Sequence, residues 1–215
     1  MAALFHFRQI SMFAFSGGEI LAVVIAASFA AGLNVYATVA TLGLLSHAHA
    51  FQLPPALHLL DSWTVIVVCG LLFALEFVAD KIPVFDLLWN ALGTFVKVPV
   101  AALLSYGATQ HLSPGLQAAA AALGGLIALT AHGSKLAVRT AVTSSPEPFS
   151  NIALSLGEDL AAISITWFAT RHPIIAGAIV ALCLLLSVLA IRYIIRALRR
   201  LFQRTRSVLL SPEQL

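Results

Sequence analysis

The sequence predicts an all-α polytopic membrane helix bundle of about six spans, with an inverted three-helix repeat as its candidate internal symmetry. Hydrophobic residues make up 60% of the 215-residue chain and charged residues only 10%, whereas a soluble domain carries roughly a quarter charged residues. Mean hydropathy is +0.96. Apolar runs recur near the roughly 20 residues that a helix needs to cross the hydrocarbon layer. Six such runs leave no length for a separate soluble domain.

The net charge of +3 is not a nucleic-acid footprint. Six of the twelve basic residues are Arg192, Arg196, Arg199, Arg200, Arg204 and Arg206, all in one tail. The rest of the chain holds six basic and eight acidic residues. Cys69 and Cys183 each sit in an apolar run and read as small core residues rather than a disulfide framework.

Three regions follow: a surface segment over 1–18, the transmembrane bundle over 19–195 and a basic cytoplasmic tail over 196–215. The N-terminal segment has one arginine, Arg8, and no clear small-residue cleavage site, so it is a poor secretory signal. Phe5, Phe7, Phe13 and Phe15 suit a segment lying on the membrane surface; a frayed terminus is the plainer alternative.

The first span covers about 19–45. Gly32 beside Asn34 marks either a helix break or a close helix contact, set against a plain tilted helix. The connector over 46–61 contains Pro54 and Pro55 and is irregular. Its His47, His49 and His58 match no zinc spacing, so no metal or other cofactor is expected. The second span runs from Trp63, an interfacial anchor, to about Asp80, where the turn before Pro83 ends it. The third, over 85–106, is the least apolar and carries Asp86, Asn90, Lys97 and a possible kink at Pro99. The fourth, over 116–142, opens Ala- and Gly-rich for close helix packing and ends with His132, Lys135 and Arg139. The fifth is capped by Ser150 or Asn151 and carries Ser155, Glu158 and Asp159 before ending near Arg171. The sixth runs from Pro173 to about 195 and continues as a basic helix. A dense basic cluster beyond a span stays in the cytoplasm. The expected location is a bacterial inner membrane, multi-pass, with both termini cytoplasmic.

The candidate site is the ionisable set inside these spans. Ionisable groups are costly at membrane depth and face a protein interior or a wet cavity. Glu76 and Asp80 are four residues apart; His132, Lys135 and Arg139 are three and four apart; Ser155, Glu158 and Asp159 follow the same rule. Each set makes one helix stripe. The full candidate set is Glu76, Asp80, Lys81, Asp86, Lys97, His132, Lys135, Arg139, Ser155, Glu158 and Asp159. Its five acids and four bases are near the balance that paired burial requires. The plain reading is an ion-paired network that fixes helix packing; the functional one is a polar vestibule or binding site near the inner leaflet.

A faint internal match supports two halves. AGLNVYATVA lies over HGSKLAVRTA, and LEFVAD over GEDLAA, aligning Glu76 with Glu158. Three spans per half force opposite orientations, as in many secondary transporters.

The stretches AAGLNVYATVATLGLL, LEFVADKIPVFDLLWNALGTFVKVPVAALL and AHGSKLAVRTAVTSSPEPFSNIALSLGEDLAA resemble the bacterial membrane-protein family catalogued as domain of unknown function 4126. The resemblance covers roughly 20–175. It implies a multi-span inner-membrane protein and brings no established reaction. The family often carries a basic residue where this chain has Asn34, so it assigns position 34 no role.

The leading functional expectation is a small transporter or channel, proton- or cation-coupled, in which acids bind the ion and Lys135 and Arg139 act as switching counter-charges. The alternatives are a binder or flippase of an anionic lipid head group, held by Lys81, Lys97, Lys135 and Arg139, and a structural scaffold. No hydrolytic motif is present, so an enzyme is not expected. The expected partners are membrane lipids, a small ion or solute and further copies of the chain in a homo-oligomer.

Overall fold

The computed structural model describes residues 10–11, 15–143 and 148–209. Seven α-helices follow one another: α1 Gly17–Leu33, α2 Val35–His47, α3 Trp63–Ala79, α4 Pro83–Ala108, α5 Pro114–Thr143, α6 Pro148–Arg171 and α7 Pro173–Leu209. The only strands among the described residues are the two-residue pair β1 Ile10–Ser11 and β2 Phe51–Gln52, which run parallel. Of the N-terminal segment over 1–18, residues 1–9 and 12–14 lie outside the described residues; Phe15 packs its ring against Phe51, and Gly17 and Gly18 already belong to α1. The side chains of the basic tail beyond Arg196 also lie outside the described residues.

Four helical stretches are long and apolar enough to cross a membrane: Leu88–Ala108, Pro114–Arg139, Ile152–Arg171 and Pro173–Tyr193. A fifth results if the 3-10 helix Pro55–Asp61 and α3, bent by 64°, count as one. The expected first span is not one helix. It divides at Asn34 into α1 and α2, apolar helices of 17 and 13 residues. α5, by contrast, runs unbroken through Gly133 and Lys135. α4 likewise continues through Pro99.

α1 starts at a capping box. Ser16 accepts from the Glu19 amide, while the Glu19 carboxylate accepts from the Ser16 amide at 2.8 Å, so both orphan donors at the helix start are satisfied. Beyond it α1 has no polar face, and residues on every side are buried, from Ile20 to Gly32. A helix apolar all round belongs in an interior. α1 packs against α4, α5, α6 and α7, making it the central helix of the bundle.

Small residues set the helix spacing. A Cβ at Gly32 would collide with the Ala128 carbonyl and the Ala131 methyl of α5, so α1 and α5 touch backbone to backbone. A Cβ at Gly124 would strike Ser105 of α4. Beside it the hydroxyls of Ser28 and Ser105 are hydrogen-bonded at 3.0 Å. The Gly-Gly pair at 124–125 is thus spent inside the protomer.

α3 is built the other way. Val67, Leu71, Leu75 and Val78 are exposed, and its buried residues are Ile66, Glu76 and Ala79. Apolar side chains face outward and a carboxylate faces inward, the pattern expected of a helix bathed in lipid.

Candidate functional site

The site forms where α1 stops. Asn34 takes an extended conformation, φ −146° and ψ 104°, and serves both helices. Its backbone N–H donates to Ala30 and closes α1. Its side-chain oxygen accepts from the Ala37 amide at 2.9 Å and caps α2. Asparagine is among the best N-cap residues because its short side chain reaches the orphan amides of the first turn. The cap of α2 is therefore local to the sequence, and the groups that hold the break are supplied from far away.

The end of α1 carries unsatisfied carbonyls and the negative end of the helix dipole. Two ammonium groups meet it. Lys97 Nζ from α4 and Lys135 Nζ from α5 both donate to the Leu33 carbonyl, at 3.3 and 3.4 Å. At the same time Lys97 pairs with Glu76 of α3 at 2.7 Å. Lys135 lies 3.6 Å from Glu76, 3.5 Å from Asp80 and 3.2 Å from Glu158.

Arg139, one turn beyond Lys135, extends the network. Its Nη2 lies 2.7 Å from Asp80 Oδ2 and 2.6 Å from Glu158 Oε2. Ser155 of α6 donates to the same Asp80 oxygen at 3.3 Å. Three cations and three carboxylates from α3, α4, α5 and α6 thus form one continuous network. All are buried except Glu158, whose side chain keeps 12% exposure. An isolated ion here would cost several kcal/mol, and mutual pairing offsets that cost only when the geometry satisfies every charge.

Asp159 stands beside this network and is held differently. Asn34 Nδ2 donates to its Oδ1 at 2.8 Å. The residue is 4% exposed, and its Oδ2 finds no hydrogen-bond partner among the described residues. The arrangement suits the helix dipoles: a carboxylate at the start of α2, ammoniums at the end of α1.

The sequence-predicted residues divide clearly. Glu76, Asp80, Lys97, Lys135, Arg139, Ser155 and Glu158 come together, with Asp159 joined through Asn34. His132 is buried nearby but makes no ion pair among the described residues. It donates Nε2–H to the Asn90 carbonyl at 3.0 Å, tying α5 to α4. Lys81 turns away from the network. Its ammonium donates to the Phe77 carbonyl of its own helix at 2.8 Å and covers the Phe77 ring. It lies past the end of α3, where a half-exposed lysine reaches its own last carbonyls more readily than a buried partner. Asp86 is in the first turn of α4, and its side chain lies outside the described residues.

The sequence marks Asn34 with Gly32 as one place for a helix break, but the candidate set omits Asn34 and the Leu33 carbonyl, the two groups on which the site is centred. The available signal was a polar residue after glycine inside an otherwise apolar run. In the connector, His47 bonds Asp61 at 3.1 Å and His58 bonds the Leu53 carbonyl at 3.1 Å. Among the described residues no three His, Cys, Asp or Glu side chains gather as a metal site.

A family model described as Domain of unknown function (DUF4126) matches residues 21–193. The chain belongs to this family. The match spans the break, all the paired charges and the six helices from α2 to α7 up to Tyr193, together with most of α1. No curated protein matches the chain. No solved structure matches it either. The membrane character rests on the long apolar helices, and any reading of activity rests on the charges at the break.

Proposed function

We propose that this DUF4126 protein is a small integral-membrane transporter or channel, coupled to a proton or small cation, with its ion site at the α1–α2 break. The carrying observation is that Lys97 and Lys135 share the Leu33 carbonyl while pairing with Glu76, Asp80 and Glu158. Broken helices whose ends face charged groups near the bilayer midplane are the usual site architecture of secondary transporters. Irregular backbone at that depth is tolerated only where protein or a cavity covers it.

The network is suited to switching. Lys135 is within 3.6 Å of three carboxylates and bonds none of them shorter than 3.2 Å. It can therefore follow whichever acid is ionised at little cost. Glu158, the one partly exposed member, connects the network to its surroundings. In this reading α1 and α2 form a re-entrant pair and not a crossing, since β1 ahead of α1 pairs with β2 behind α2 and Phe15 packs on Phe51. α3 to α7 then supply five crossings of an inner membrane, with the C-terminus on the cytoplasmic side. The expected inverted repeat would set α1 against α5, whereas Ser28 lies by Gly124 and Gly32 by Ala128 and Ala131, so the two helices run the same way. We read the protein as non-enzymatic.

A lipid-head-group reading is weaker, since Lys97, Lys135 and Arg139 are already engaged by carboxylates and Lys81 by Phe77. The test is flux. Purified protein in liposomes, with a pH-sensitive or alkali-cation-sensitive dye inside, is exposed to imposed gradients. Gradient-driven entry that is lost in Lys135→Met supports the reading. No entry of protons, sodium or potassium under any gradient would overturn it and leave a scaffold.

A further inference from the structure

Four carboxylates surround the break, and three of them have a basic partner within 4 Å. Glu76 has Lys97 and Lys135, Asp80 has Arg139 and Lys135, and Glu158 has Arg139 and Lys135. Asp159 has none among the described residues. Its only side-chain partner among the described residues is the neutral amide of Asn34.

We infer that the ion bound at this site is a proton and that Asp159 is the group that takes it. The inference rests on the transporter reading for its physiological sense, but the site itself is argued from three observations. First, Asp159 is buried, and one of its oxygens has no hydrogen-bond partner. A buried carboxylate left half-solvated is costly, whereas the neutral acid is far less so. Second, neutralising Glu76 would strand buried Lys97, and neutralising Asp80 or Glu158 would leave Arg139 with one carboxylate of its two. Neutralising Asp159 strands nothing, because Asn34 can donate equally to the carbonyl oxygen of the acid. Third, the described set holds four acids against Lys97, Lys135 and Arg139, and one proton brings it to balance.

A metal cation fits less well. Sodium or calcium needs several oxygen ligands at once, and Glu76 Oε1, Asp80 Oδ2 and Glu158 Oε2 are each already shared with ammonium or guanidinium groups. A proton needs one lone pair, and Oδ2 has it. In the step, a hydronium ion transfers its proton to Oδ2, leaving water and a neutral carboxyl. The charged groups acting on Asp159 are Lys135 of α5, Glu76 of α3 and Asp80 just past its end; Lys97, Arg139 and Glu158 pair with these in turn. α1 and α2 present Asn34 at this level, and Arg192 is the first charged residue of α7. His132, also nearby, is engaged with Asn90.

The occupied state of Asp159 also bears on the break. The same Asn34 side chain that donates to Asp159 caps α2 through its oxygen. Protonation changes the strength of the first bond and so the hold on the hinge between α1 and α2.

The test is infrared difference spectroscopy of the full-length protein in lipid, titrated with pH, read beside liposome proton flux. The expected result is a titrating carboxylic-acid C=O band that is lost in Asp159→Asn and kept in Glu158→Gln. Asp159→Glu, which restores a carboxyl, brings a band back at a shifted frequency and guards against misfolding of the first variant. Absence of any such band across the pH range, or its persistence in folded Asp159→Asn, overturns the inference. A band that behaves as expected without proton flux upholds the site and sinks the transporter reading instead.

Discussion

Asn34 reaches from the α1–α2 break to Asp159 of α6, 125 positions along the chain, with its Nδ2 2.8 Å from Oδ1. The bond joins the residue that ends the central helix, α1, to an acid five α-helices later. The other end of the same side chain caps α2. One asparagine thus carries both a local helix boundary and a long-range tertiary link, and its replacement should expose the two roles separately.

Asn34→Ala should remove both. Loss of an N-cap costs about 1 kcal/mol, and an acceptor left buried without a donor costs about 1–3 kcal/mol more. Asn34→Asp keeps the cap acceptor but sets a second carboxylate against Asp159. Like charges at this distance oppose joint ionisation, so its deficit should shrink as pH falls and one carboxylate gains a proton. Thermal unfolding in detergent across pH checks this. Equal deficits at all pH values would show that the Asp159 contact contributes nothing.

Lys97→Met should be among the most damaging single substitutions. It leaves Glu76 buried with only Lys135 at 3.6 Å. Breaking a buried pair by removing one partner costs about 3–5 kcal/mol. Glu76→Gln combined with Lys97→Met should recover a large part of that loss. A double variant as unstable as the sum of its singles would mean that the two charges act independently.

Gly32 and Gly133 should respond in opposite ways to alanine. At Gly32 the added methyl meets the Ala128 carbonyl and the Ala131 methyl, and overpacking costs about 1–3 kcal/mol. At Gly133 nothing lies within 4 Å, and Gly-to-Ala inside a helix gains about 0.5–1 kcal/mol. Melting temperatures of the two variants should fall on either side of wild type.

Lys81→Ala should be nearly silent. Its ammonium is engaged within its own helix end, and surface changes of this kind stay within about 0.5 kcal/mol. Arg139→Ala strips a guanidinium from both Asp80 and Glu158 and should lower the melting temperature sharply. Equal effects from the two variants would place Lys81 in the buried network after all.

The membrane class, the helix order and the helix boundaries at Trp63, Pro114 and Pro173 follow from local chemistry: apolar runs, proline turns and cap residues act within a few positions. So did the stripes on α5 and α6, because i, i+3 and i, i+4 spacing fixes which residues share a face. The residues of the network could be named on that basis, as Glu76, Lys135, Arg139 and Glu158 illustrate. What spacing cannot give is how each helix is rotated against its neighbours. Only packing decided that Lys97 pairs with Glu76 while Lys81, one residue past Asp80, turns back onto Phe77.

The sequence alone determined that charges would be buried within apolar helices, since no chain this apolar could leave them in lipid. The tertiary structure decided where they meet. They gather at the end of α1 because a broken helix offers bare carbonyls and a negative dipole end at the centre of the bundle. Whether a polar residue in an apolar run interrupts its helix depends on partners that approach from other helices, here Lys97, Lys135 and Asp159.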